Sequence, residues 1–85
     1  MIEVLSGQDF EDTSDFVKEL NKARLANKNK WIFYRGNVNG RRVEIKTYDT
    51  GYLQIMRVDD LHHNAPMDMK VGAWKEFIEK SVNHK

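Results

Sequence analysis

The stretch Lys30-Trp31-Ile32-Phe33-Tyr34-Arg35-Gly36-Asn37-Val38-Asn39-Gly40-Arg41-Arg42-Val43-Glu44-Ile45-Lys46-Thr47-Tyr48 decides the fold. Asn39-Gly40 supplies the two positive-φ residues of a type I′ turn between two runs of alternating apolar residues, which is the strongest short-range hairpin signal a sequence carries. A two-residue loop sets the register. Val38 pairs with Arg41, and stepping back brings Gly36 opposite Val43, Arg35 opposite Glu44, Tyr34 opposite Ile45, Phe33 opposite Lys46 and Trp31 opposite Tyr48. Because successive side chains alternate across the pleat, two faces follow. Ile32, Tyr34, Val38, Val43, Ile45 and Thr47 form a core face. Trp31, Phe33, Arg35, Arg42, Glu44, Lys46 and Tyr48 form an aromatic and basic one.

The hairpin extends in both directions. Asp49-Thr50-Gly51 fits a three-residue loop with Gly51 in the left-handed region, leading into a third strand from Tyr52 to Val58. Leu53 and Ile55 then continue the core face, and Tyr52, Gln54, Met56 and Val58 widen the other. Asp59-Asp60-Leu61-His62-His63-Asn64-Ala65-Pro66 has no period and holds the one proline of the chain, so a loop is expected there. Met67, Met69 and Val71 alternate with Asp68 and Lys70, the pattern of a short fourth strand at an edge.

Helices are expected on either side. Thr13 to Asn27 has Thr13 or Ser14 as N-cap, acids early, Lys22 and Arg24 late, and Phe16, Val17, Leu20 and Ala23 on one stripe. From about Gly72, Trp74, Phe77, Ile78 and Val82 make a stronger stripe opposite Lys75, Glu76, Glu79 and Lys80. The tail Asn83-His84-Lys85 is expected to fray. A short strand at Ile2 to Leu5 is open. The fold class is α+β: a two-layer sandwich in which an antiparallel, hairpin-rich meander of three to four strands is flanked by an N-terminal and a C-terminal helix. Both helices on the core face, or one helix on each face, are equally compatible with these patterns.

Eighty-five residues form a single domain with one small core, burying about two-thirds of the extended chain's surface. The absence of cysteine excludes disulfides, thiolate zinc sites and cysteine nucleophiles. The first residues lack a basic segment followed by an apolar run, and no stretch approaches the roughly 18 apolar residues of a membrane span. A soluble, cytoplasmic protein is expected, with no membrane partner. Net charge is only +1, but it is poorly mixed along the chain. Residues 1–20 hold six acids against Lys18, whereas residues 22–46 hold eight bases against Glu44. Either a helix sets acid against base within the fold, or one side of the molecule is basic.

The aromatic and basic face is the candidate site. Trp31, Phe33 and Tyr48 would stack bases, with Tyr52 beside them, and Arg35, Arg41, Arg42 and Lys46 would pair with phosphates. The expected partner is therefore a nucleic acid, preferably single-stranded, bound without strong sequence specificity. Strands followed by Met67-Asp68-Met69-Lys70-Val71-Gly72-Ala73-Trp74-Lys75-Glu76-Phe77, a basic-acidic helix with an early tryptophan, resemble single-stranded-DNA-binding domains of the positive-cofactor type over about the last fifty residues. The resemblance implies the same class of partner, and the acidic first helix departs from that pattern.

The alternative is a protein partner. The same aromatics would be buried under a helix or in a homodimer, and the acids Glu3, Asp9, Glu11, Asp12, Asp15 and Glu19 suit electrostatic protein binding. In size and cysteine-free character the chain is similar to inhibitors or adaptors of the phage anti-defence and immunity type. Asp59, Asp60, His62 and His63 have ligand chemistry, but adjacent histidines diverge and no further ligand is marked, so no metal or other cofactor is expected. Ser6, Ser14 and Ser81 lack a nucleophile elbow, and no glycine-rich phosphate loop is present. A ribonuclease using His62 or His63 with Glu44 and Arg42 is chemically conceivable. The pattern as a whole points to a binding protein rather than an enzyme.

Overall fold

A computed structural model describes residues 2–5 and 7–82, with backbone alone for 63–67. The chain runs β1 (Ile2–Glu3), β2 (Asp9–Phe10), α1 (Thr13–Ala26), β3 (Ile32–Val38), β4 (Arg41–Thr47), β5 (Tyr52–Val58), β6 (Leu61–Asp68), a single 3-10 turn at Val71–Ala73 and α2 (Trp74–Val82). The class is α+β, with a mixed six-stranded sheet in the order β1-β3-β4-β5-β6 and β2 also paired to β3.

The β3–β4 hairpin has the register its turn dictates, from Ile32 opposite Thr47 to Val38 opposite Arg41. Asn39 (φ 57°) and Gly40 (φ 78°) hold the left-handed conformations that this tight turn needs. In the next turn Gly51 has φ 99°, and a Cβ there would stand 2.5 Å from the Met69 carbonyl oxygen. The same residue's carbonyl accepts from the buried Trp74 indole Nε1–H at 3.2 Å. Gly51 is thus required by its backbone conformation and by the close approach of the chain leading into α2.

The sheet differs from an antiparallel three- or four-stranded meander in three ways. First, β1 and β2 both pair parallel with the outer edge of β3, at Ile2–Ile32 and Asp9–Asn37. Parallel pairing requires a crossover, and α1 supplies it between β2 and β3. These two-residue strands carry no detectable period, so the sequence leaves a strand at Ile2 to Leu5 open and gives no sign of β2.

Second, residues 61–66 are not a loop. Asp59, with φ 55°, and Asp60 make a two-residue turn, and β6 pairs antiparallel with β5 from Val58–Leu61 to Tyr52–Asp68. Pro66 stands on an edge strand, since β6 pairs with β5 alone among the described residues, and an edge strand tolerates a residue without an N–H. Strand pairing therefore ends at Asp68, and Val71 belongs to the turn before α2 rather than to a strand.

Third, β5 is bulged. Ile45 pairs with Ile55 but Glu44 with Arg57, so Met56 is an extra residue. A bulge resets the alternation of side chains. Val58 consequently turns into the core instead of widening the aromatic face, and Arg57 takes its place.

Both helices contribute to a single buried cluster. Phe16 and Leu20 of α1 and Trp74, Ile78 and Val82 of α2 join Ile32, Tyr34, Val38, Val43, Ile45, Leu53, Ile55 and Val58. Val17, Ala23 and Phe77 are only partly buried against it. α1 is capped by Asp12, whose carboxylate accepts from the Ser14 N–H at 2.8 Å, rather than by Thr13 or Ser14. Thr13 is buried and its hydroxyl accepts from the Asn39 amide at 3.3 Å, which removes it from capping duty. The expected fraying of Asn83-His84-Lys85 lies outside the described residues.

Candidate binding face

Cross-strand partners share a face of the sheet, so the registers lay out the side turned away from the core as four rows. At one end stand Trp31, Tyr48 and Tyr52. Next come Glu3, Phe33, Lys46 and Gln54, then Arg35, Glu44, Arg57 and His62, and last Asp9, Asn37 and Arg42.

The first row is an aromatic cluster. The Trp31 ring lies 4.9 Å from Tyr48 and 5.2 Å from Tyr52, the latter edge-on at 88°. Such tilted and T-shaped contacts match the ring quadrupoles and hold the indole in place. Trp31 nonetheless remains 38 % exposed. The Lys46 ammonium lies 5.1 Å from its ring centre, within cation–π range. One row on, the Arg35 guanidinium sits 5.5 Å from the Phe33 ring centre. Alternation along β3 and β4 places these residues here, because the same strands bury Ile32, Tyr34, Ile45 and Thr47 on the opposite side.

The third row neutralises itself. Glu44 Oε2 lies 3.6 Å from Arg35 Nε and 3.9 Å from Arg57 Nη1. Arg57 Nε is buried and has no hydrogen-bond partner among the described residues. Two of the arginines on this face therefore share one carboxylate.

Arg41 does not belong to the face. It pairs with Val38, so it projects with the core-side residues at the rim, and its Nη1 holds Asp59 Oδ2 at 2.6 Å. The Asp59 N–H also donates to the Arg42 carbonyl at 2.7 Å, which fixes the β5–β6 turn against β4. Of the expected phosphate partners, Arg42 and Lys46 take part in no ion pair among the described residues. Arg35 is half-committed to Glu44, and Arg41 is withdrawn.

Three acids reach this face by routes hidden in the sequence. Glu3 and Asp9 arrive with the parallel edge strands, and Asp68 arrives opposite Tyr52 because β6 is a full strand. Arg57 arrives through the bulge. Only the pairing partners of these residues reveal their side, and two-residue strands and bulges leave no period to read.

Between β1 and β2 the chain makes a notch. Pairing to β3 stops at Glu3–Phe33 and resumes at Asp9–Asn37, and Leu5 (φ 55°) and Gly7 (φ 77°) are left-handed. The cavity there has a volume of about 480 Å³ and is lined by Glu3, Gly7, Asp9, Arg35, Gly36, Asn37 and Arg42. Asp9 is oriented by the Asn37 amide, which donates to its Oδ1 at 3.0 Å. Beneath the strand, the Tyr34 hydroxyl donates to the Gln8 carbonyl at 2.6 Å. Burial, and secondarily the Asp9 carboxylate, push that phenol up to about 12.

Asp59 and Asp60 form a turn and His62 lies opposite Arg57, while the side chain of His63 and all of Ser6 lie outside the described residues. Among the described residues no group of three or more acidic, histidine or cysteine side chains is placed to hold a metal ion. No helix among them is long and apolar enough to cross a membrane. No protein-family model matches the chain, and neither a curated protein nor a solved structure matches it.

Proposed function

We propose that this is a small non-enzymatic binding protein that takes single-stranded nucleic acid on the sheet face opposite the core, in a two-layer arrangement with both helices on the other side. The observation that carries this reading is the Trp31–Tyr48–Tyr52 cluster, partly exposed, with Lys46 against the indole. Bases stack on such rings whatever their identity, and a cation held close to the ring meets the phosphate that follows. Arg42 and Lys46 supply the phosphate contacts, with Arg35 and Phe33 acting as one unit.

The test is a titration of fluorescent oligothymidine at several salt concentrations, read by anisotropy together with tryptophan emission. Binding that weakens with salt, with quenching lost in Trp31→Phe, is the expected result. Replacing both Arg42 and Lys46 by alanine should weaken binding and flatten the salt slope by about 0.7 per lost phosphate contact. Absence of binding even at low salt overturns the reading.

A protein partner, including a second copy of the chain, is the other reading, and one observation favours it. Glu44 between Arg35 and Arg57, with Glu3, Asp9 and Asp68 on the same side, gives the face a near-balanced charge. Exposed tryptophan, tyrosine and arginine among paired charges are typical of protein interfaces. Under this reading the protein ignores oligonucleotides, and Trp31→Ala disrupts a concentration-dependent dimer in sedimentation.

A further inference from the structure

The acids on this face are costly for a phosphate-binding surface, and two of them, Glu3 and Asp9, converge on the notch with Arg42 and Arg35. A site that holds both carboxylates and guanidinium groups suits a ligand with donors and acceptors on adjoining edges. We propose that the notch reads a guanine base of the bound strand, an inference that rests on the nucleic-acid reading above.

Among the four bases, guanine alone presents two adjacent donors, N1–H and the N2 amino group, beside two adjacent acceptors, O6 and N7. A carboxylate accepts both donors, and an arginine fork donates to both acceptors. The notch offers those two functions. Asp9 has its Oδ1 anchored by Asn37 at 3.0 Å, which sets the orientation of the carboxylate, with no bond to Oδ2 among the described residues, and Glu3 adds a second carboxylate. Arg42, without an ion pair among the described residues, supplies the fork. Arg35 touches Glu44 through Nε, and its remaining N–H groups extend the donor set.

Adenine, cytosine and thymine each leave part of this set unmatched. Adenine and cytosine have one amino group with no neighbouring N–H donor, and thymine has one N–H between two carbonyls. Unmatched charged groups in a site are what discriminate against the wrong ligand.

Shape agrees with chemistry. The recess is lined at the sheet edge by Gly7 and Gly36, where bare backbone leaves room for a ligand. About 480 Å³ falls within the range of small-ligand sites. The recess lies on the same face as Phe33, so a strand stacked on the aromatic rows passes over it.

The experiment compares 12-mer oligothymidines carrying one central dG, dA, dC or deoxyinosine. A single guanine avoids quadruplex formation. The expected result is about tenfold tighter binding of the dG oligomer than of the other three natural bases, within the range of one bidentate base contact. Deoxyinosine, which lacks the N2 amino group, should lose most of that gain without any change to the protein. Glu3→Gln and Asp9→Asn should abolish the preference while leaving oligothymidine affinity equal or higher, since each removes a negative charge. Equal affinity for all oligomers overturns the guanine proposal and leaves the nucleic-acid reading standing. So does a preference that survives inosine substitution. Failure of every oligomer to bind overturns both.

Discussion

The two faces of the sheet are made by the same strands and obey opposite rules. On one side Ile32, Tyr34, Val38, Val43, Ile45, Leu53 and Ile55 are fully buried in one cluster with side chains from α1 and α2. On the other, Trp31 keeps over a third of its surface, Lys46 and Arg35 lie on rings, and Glu44 divides itself between two arginines. Folding explains the first set completely. It does not require the second, because the core closes without those side chains. Aromatic residues that a small domain maintains outside its core are the ones to examine for binding.

The sharpest way to break this contrast is to truncate one tryptophan from each region. Trp74→Ala empties a fully buried site and removes the Nε1–H donor to Gly51, so about 3–5 kcal/mol of stability should be lost. Trp31→Ala should cost only about 1 kcal/mol, from two ring contacts. Urea denaturation of both variants checks it. Comparable losses would mean that the outer aromatics are structural.

Gly36 joins the two regions, since it lies in β3 above Tyr34 and borders the notch. A Cβ there would collide with the Tyr34 hydroxyl oxygen and stand 2.7 Å from the Gln8 carbonyl oxygen. Gly36→Ala should therefore cost about 1–3 kcal/mol through overpacking, measured by thermal denaturation. A neutral result would show that the backbone at Gln8 yields easily, and that the notch is not a rigid feature.

Tyr34→Phe removes the hydrogen bond to Gln8 and should cost about 1 kcal/mol. Its more informative effect is on pH dependence. The native phenol ionises at about 12 and an unfolded tyrosine at about 10, so the native state favours the protonated form. The stability linked to this group is complete below about pH 10 and is lost as pH rises towards about 12. Alkaline denaturation should therefore be shallower in Tyr34→Phe than in the parent, after the offset at neutral pH. Superimposable slopes would place Tyr34 outside the titrating set.

The smallest effect belongs to Arg41→Ala. Its ion pair with Asp59 is more than a third exposed on both sides, so no more than about 1 kcal/mol is at stake. Oligonucleotide affinity should not change, in contrast with Arg42→Ala. Equal losses from the two neighbours would show that alternation along β4 does not govern the contacts.

Much of the candidate face was legible because Asn39-Gly40 leaves one possible register, and one register assigns every side chain from 31 to 48 to a side. Arg41 is the exception that follows from the same rule. Its charge suits a phosphate partner, but its pairing with Val38 turns it to the core side. The legibility ends at Met56. One extra residue there exchanges Val58 for Arg57, and the local pattern Ile55-Met56-Arg57-Val58 suits either parity. Pro66 and the paired histidines concealed β6 for a related reason: an edge strand needs hydrogen bonds on one side only, so it tolerates residues that a central strand would reject.

By itself the sequence determined the α+β class, the β3–β4 register, the two helices and which aromatic residues share a face. Each of these is set by interactions between residues close in the chain, through turn geometry and the periods of side-chain direction. Tertiary structure alone decided the parallel edge of β1 and β2, the acids brought to the outer face, the bulge at Met56 and the notch beside Gly36. Those depend on pairing between distant segments, where two-residue strands gain hydrogen bonds from a partner already in place and leave no periodic trace of their own.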